Sequence, residues 1–269
     1  MKRTCFLLCI FCAFTLVSAC AAPAQTPAIS PATQTVLPSP NEDEARLINV
    51  SIQEYSDMLV DEAGKTLATV SSKYPVLVFE GDNAVLTTLN SEILSQERAW
   101  ADEVLKQCKQ TLTPEAVAQA GDFFTPYEYE RTWIKTCLTE ELVSFKVDYM
   151  QYAGGAHPDG AYYGYTYNLD TGTRLGADDI FADVAEADKL MRDGFMEQIK
   201  AEAENFYDEA AGILSSGAQL DESLYLTPDG ATFALPSYTI APNTFGIPVF
   251  TIVYAGNETL FKVVPECAK

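Results

Sequence analysis

The 269 residues carry 38 acidic against 17 basic side chains, a formal net charge of −21. Nucleic-acid binding needs a cationic footprint, so no nucleic-acid partner is expected, and anionic lipid headgroups repel the same surface. Hydrophobic residues make up 48% of the chain, enough for a packed core, while a single histidine leaves little material for metal chemistry.

Lys2 and Arg3 form a short basic start, and an apolar run from Cys5 to Val17 follows, broken only by Thr15. That run is too short to span a bilayer as a helix and suits the apolar region of a signal peptide. It ends in Val17-Ser18-Ala19-Cys20, the lipobox pattern in which Cys20 is lipidated and becomes the new N-terminus. An ordinary signal peptide cut near Ala22, or a weak membrane anchor, are the alternatives. Residues 1–19 thus read as a lipoprotein signal peptide, and losing them takes the net charge from −21 to −23. Each buried acyl CH₂ contributes about 0.8 kcal/mol, so the lipidated Cys20 is expected to hold the chain to the extracytoplasmic side of the cell membrane. Cys9 and Cys12 have a CxxC spacing but sit inside the discarded run.

Residues 20–46 read as the lipidated cysteine and a tether. Positions 21–40 hold five prolines and no charge, which favours polyproline II with a reach of roughly 60 Å. From residue 47 the composition becomes globular. Ile48, Val50 and Ile52 alternate as a strand, 61–65 with Gly64 is a turn, and Thr66–Phe79 is further strand, interrupted at Pro75. Asp82 is placed to cap a helix whose apolar residues Leu86, Leu89, Ile93, Trp100, Val104 and Cys108 recur near a 3.6 period. Thr113-Pro114-Glu115 opens a second, short helix. Tyr127–Leu138 and Leu142–Tyr152 form a hairpin, with Val143, Phe145, Val147 and Tyr149 on one face.

The second half repeats this logic. Residues 161–169 alternate, Asp170-Thr171-Gly172 turns the chain, and a helix is expected over about 184–207. Strands follow at 225–227 and 231–235 around Pro228-Asp229-Gly230, then at 249–254. Hairpins alternating with helices indicate an α+β fold, in two consecutive antiparallel-sheet-plus-helix subdomains over 47–152 and 153–269.

After loss of the leader, Cys108, Cys137 and Cys267 remain beside Cys20. Three thiols allow one disulfide at most. Cys267 lies close to the C-terminus, where chains fray, so Cys108–Cys137 is the favoured pair. A habitat that keeps all three reduced is the other possibility.

Between residues 143 and 181 the strings Tyr152-Ala153-Gly154-Gly155-Ala156-His157-Pro158, Asn168-Leu169-Asp170-Thr171-Gly172 and Asp178-Asp179-Ile180-Phe181 resemble the RsiV-like extracellular domain. Tyr225-Leu226-Thr227-Pro228-Asp229-Gly230, Ile240-Ala241-Pro242 and Gly246-Ile247-Pro248 fit the same pattern. Upstream, Tyr74-Pro75, Leu89-Asn90 and the long helix resemble the domain that precedes the deacetylase in PdaC-type proteins. The resemblance implies a two-part α+β ectodomain at the bacterial surface, and in the best-understood relative such a domain recognises lysozyme. These residues hold neither a sigma-binding segment nor a deacetylase domain, so ligand binding is the property expected to carry over.

His157 follows two glycines and precedes a proline, a setting for a loop anchor or a ligand contact; catalysis would need a nucleophile or metal beside it. Tyr163, Tyr165 and Tyr167 share one strand face and Tyr162 takes the other, as a half-buried sheet or a platform for a sugar ring. Residues 237–247 read as a long loop whose Tyr238, Asn243 and Phe245 are candidate contacts. Asp170, Asp178 and Asp179 lack an EF-hand pattern, and no cofactor or metal site is expected. The expected function is a lipid-anchored, non-enzymatic binding protein of the bacterial envelope, engaging a basic protein such as lysozyme or an envelope glycan. A carboxylate-based peptidoglycan hydrolase and a purely structural envelope component are the rivals.

Overall fold

In the computed structural model, which describes residues 48–216 and 221–267, the chain begins with a long hairpin of β1 (Ile48–Val60) and β2 (Thr66–Phe79). The expected signal peptide, Cys20 and tether lie outside the described residues. Asp61 sets the turn by accepting the N–H groups of Ala63 and Lys65, and Gly64 supplies a φ of 80° that costs other residues strain. Helix α1 (Ala84–Thr111) starts one residue beyond expectation: Asn83, not Asp82, is the cap, accepting the Leu86 N–H at 3.0 Å. Leu86, Leu89, Ile93, Ala101 and Cys108 are buried along one stripe, as the helical period requires. Thr113 caps the short α2 (Pro114–Ala120), with Pro114 in its first turn.

Strands β3 (Tyr127–Leu138), β4 (Leu142–Tyr152), β5 (Asp159–Asn168) and β6 (Arg174–Leu175) extend the sheet in the order β1-β2-β3-β4-β5-β6. The sheet is not purely antiparallel, because 68–73 of β2 pair in parallel with 127–132 of β3. The α1–α2 connection is long enough to return the chain in the same direction, which a tight turn cannot do. Beyond that short parallel segment the Asn90 carboxamide takes the place of a strand: it accepts the Leu77 N–H at 2.8 Å and donates to the Leu77 carbonyl at 2.9 Å. The sheet also runs through the boundary expected at 152/153, since β5 pairs with β4 along its length.

The remaining elements are α3 (Ala177–Ile180), α4 (Val184–Ala201), α5 (Ala210–Ser215) and an antiparallel sheet of β7 (Tyr225–Leu226), β8 (Gly230–Ala234) and β9 (Val249–Val253). Helix α4 ends at Ala201, short of the expected 207, and a 3-10 turn carries the chain to buried Phe206. The fold is α+β, and Ala45–Lys269 form one compact unit.

Core residues pack on both faces of the six-stranded sheet. Under α1, Trp133, Phe145, Val147 and Tyr167 pack with Leu77, Leu86, Leu89 and Ile93; fully burying each large side chain contributes about 2–3 kcal/mol. The stripe of Tyr163, Tyr165 and Tyr167 belongs to this core, with the Tyr165 and Trp133 ring centres 4.6 Å apart. On the other face, Leu142 and Cys137 join Met191 and Phe195 of α4, and Phe233 and Ile252 of the small sheet. Ser144 fastens the two layers: its hydroxyl accepts the Leu226 N–H and lies 2.8 Å from the Thr166 hydroxyl. Beside it a Cβ on Gly164 would fall 1.8 Å from the Leu224 carbonyl oxygen, so glycine is what lets the layers touch.

The disulfide joins Cys137 to Cys267, with Cα atoms 5.2 Å apart, and not to Cys108. A bulge between Lys135 and Cys137 supplies the reason. An inserted residue reverses the alternation, so Cys137 faces the second core, where the C-terminal segment passes. Cys108 stays on the α1 side with Leu67, Ala68 and Leu112, as a free, buried thiol.

Candidate functional site

Register places several chain connections at one end of the six-stranded sheet. The 61–65 turn, the segment entering β3 and the 153–158 loop after β4 all lie there, because Ala68 pairs with Tyr127 and Glu128 with Tyr152. In the 153–158 loop Gly154 and Gly155 adopt φ values of 81° and 116°, and the Tyr152 hydroxyl donates to the Gly155 carbonyl at 3.2 Å. His157 is exposed beyond them.

The loop over 236–247 joins this end through a two-bond clamp. The Gly160 N–H donates to the Ser237 hydroxyl, and the Ser237 N–H donates to the Gly160 carbonyl, both at 2.8 Å. Ile240 and Ala241 are buried beneath the loop, and the Phe245 ring packs 4.7 Å from that of Phe206, so these residues anchor it. Asn243 begins a 3-10 turn and its carbonyl accepts the Gly246 N–H. Tyr238 does the opposite of anchoring. It is 40% exposed with a φ of 61°, the one non-glycine residue in positive φ among those described. Such a backbone costs an L-residue roughly 1–2 kcal/mol.

Phe123, 95% exposed in the short turn before β3, is a second aromatic at this end, unnoticed in the sequence because no periodicity marks it. Glu62, Asp122, Glu128 and Asp159 are exposed in or next to the connections at this end, while Lys65 is drawn over the Phe124 ring at 4.6 Å. An open groove of about 570 Å³ adjoins them, lined by Leu59, Leu67, Leu112, Pro114 and Val117. Tyr162 lies one row inward on the face away from α1, under the Lys146 ammonium at 3.9 Å. Partial burial and the neighbouring Asp148 carboxylate push its phenol above the usual range.

The surface offers aromatic faces, carboxylates and glycine-rich backbone. His157 and Tyr238 share it through the Gly160–Ser237 clamp, whereas Phe245 and Cys108 are held in packed surroundings. Among the described residues, no group of three His, Cys, Asp or Glu side chains could hold a metal ion.

Residues 62–159 match the family model described as deacetylase PdaC, and residues 178–255 match the protein family of unknown function DUF3298. The chain thus carries a PdaC-type domain followed by a DUF3298 domain. A DUF3298 family member from Bacteroides fragilis has the same fold: TM-score 0.60 and 19% identity, over 82% of this chain and 96% of that one. A DUF3298 family protein from Pseudomonas aeruginosa aligns over 84% of this chain and 99% of its own, at 16% identity and TM-score 0.49. No curated protein matches the chain.

Proposed function

We propose that the chain is a non-enzymatic binding protein of the bacterial envelope, held by lipidated Cys20, whose acidic, aromatic sheet end engages a cationic protein. The observation that carries this reading is the gathering of exposed Phe123, Tyr238 and His157 at one end of the sheet among exposed carboxylates. Aromatic faces and carboxylates together suit lysine and arginine side chains, through cation–π contacts and charge-assisted hydrogen bonds. The net charge of −21 favours fast encounter with a basic partner at low salt. Resemblance to the RsiV-like ectodomain makes lysozyme-type enzymes the first candidates.

Charge alone would bind any basic protein, so the test compares lysozyme with an unrelated protein of similar size and charge, at low and near-physiological salt. Recognition through this surface gives a preference that survives the higher salt and weakens about tenfold in Tyr238→Ala and Phe123→Ala. Equal binding of both proteins, lost together as salt rises, defeats the reading. For the anchor, Cys20→Ser should abolish acyl labelling in a bacterial host.

The name of the first family model makes deacetylation the competing reading. Zinc hydrolase sites commonly use two or three histidines, and this sequence holds His157 alone. Release of acetate from acetylated glycan by the purified protein would favour the enzyme.

A further inference from the structure

β1 is the outermost strand of the six-stranded sheet, and no described element pairs with its outer edge. It runs 13 residues, contains neither proline nor lysine, and carries its one irregularity at Leu59/Val60. Long edges template another strand through their outward N–H and C=O groups, and proteins guard them with charges, bulges or a covering segment; here the guards are the exposed Glu54 and Asp57 carboxylates, the latter accepting the Met58 N–H at 2.8 Å, and the irregularity at Leu59/Val60. Here Ile52 is 50% exposed and Met58 58%.

The sequence of β1 is close to palindromic in chemical character about Tyr55. When two copies pair antiparallel about a twofold axis through Tyr55, perpendicular to the sheet, Ile52 of one copy faces Met58 of the other. Gln53 then faces Asp57, Glu54 faces Ser56, and Tyr55 faces itself. Apolar meets apolar on one face and no acid lies directly opposite an acid. Moving the axis by one residue destroys this: centred on Glu54, two carboxylates coincide, and centred on Ser56, Glu54 opposes Met58. The charge repulsion of two acidic chains is also relieved at the axis. Lys73 sits beside Glu54 in the β1–β2 register, and the Arg98 guanidinium lies 6.0 Å from the Tyr55 ring centre. Cross-strand pairs of this kind stabilise by about 0.2–1 kcal/mol each, in addition to the backbone ladder.

We infer that the protein forms a twofold dimer through β1, with residues 51–59 of two copies paired antiparallel about Tyr55 into one continuous sheet. The interface is isologous and closes on itself, so assembly stops at two copies.

Sedimentation of residues 45–269 over a concentration series, up to about 100 μM, tests this. The expected result is a reversible dimer at near-physiological salt. Because Ile52 and Met58 are exposed, Ile52→Lys and Met58→Lys should leave the thermal transition of the monomer unchanged and raise the dimer dissociation constant at least about tenfold. The double variant I52K/M58E places opposite charges face to face in this register and should restore dimerisation. A monomer throughout the series overturns the inference, as does a dimer indifferent to both single lysine substitutions. Loss of the dimer in both, without rescue by I52K/M58E, overturns the Tyr55-centred register.

Discussion

The Glu97 carboxylate meets the Arg131 guanidinium at 3.2 Å beneath α1, its side chain fully buried and that of Arg131 15% exposed. Ser72 donates a 2.6 Å hydrogen bond to the other carboxylate oxygen, and the Arg131 guanidinium also lies 4.3 Å over the Trp100 ring. Breaking a buried pair strands one charge, which costs far more than the pair itself contributes. Glu97→Ala should therefore destabilise by about 3–5 kcal/mol in urea unfolding, and Ser72→Ala by about 1 kcal/mol. Replacing both charges, as Glu97→Leu with Arg131→Met, should recover most of the loss. Equal stability of Glu97→Ala and the wild type would show that water already solvates Arg131.

Peptide mapping without reductant should link Cys137 to Cys267 and leave Cys108 alkylated only after unfolding. The bridge spans a sequence separation of 130 residues, so Cys267→Ser should cost about 3–5 kcal/mol in the chain-entropy account. A linkage of Cys108 to either partner would refute the facing of β3 described above.

Burial pushes the Cys108 thiol above its ordinary range, against a smaller opposing effect from its hydrogen bond with Tyr129. With the folded value raised, the protonated thiol is the native form. Its stabilising contribution is complete below the unfolded thiol range and is lost as pH climbs through the folded value. Stability should thus fall above about pH 8.5, and less steeply in Cys108→Ala. Parallel slopes for the two proteins would remove Cys108 as the cause.

Two glycines of β5 should respond very differently to alanine. At Gly164 the new Cβ meets the Leu224 backbone, which cannot rotate away, so the cost should reach about 3 kcal/mol. At Gly160 the nearest atom is the Ile247 Cδ1 at 3.3 Å, the end of a flexible side chain, and the cost should stay under about 1 kcal/mol. Thermal melts of the two variants rank them directly.

Tyr238→Gly should keep or raise stability, by up to about 1 kcal/mol, because glycine accepts positive φ without strain. If the proposed reading holds, the same change should weaken binding to lysozyme. A variant that loses stability instead would mean the phenol is part of the packing.

Local patterns made much of this fold legible. The β3–β4 hairpin, the α2 cap at Thr113 and the α1 stripe follow from alternation, capping chemistry and helical period. What the sequence could not announce was non-local. The parallel return of β3 depends on where a two-helix connection deposits the chain, and the pairing of β5 with β4 carries the first sheet past residue 152. One inserted residue beside Cys137 exchanged its facing and thereby its partner. At the candidate site, the glycines around His157 marked a loop, but the Gly160–Ser237 clamp spans 77 residues and leaves no local trace.

The direction of β1 has a mechanical consequence. Ile48 stands at the end of the sheet opposite the acidic, aromatic end, a strand length of about 40 Å away. A pull on the chain ahead of Ile48, resisted by a partner gripped at the far end, runs along β1 and not across it. The β1–β2 ladder is then loaded in shear, so its bonds resist together instead of opening one after another like a zipper. Were the proposed anchor and partner both engaged, the load between them would pass through the longest hairpin of the fold.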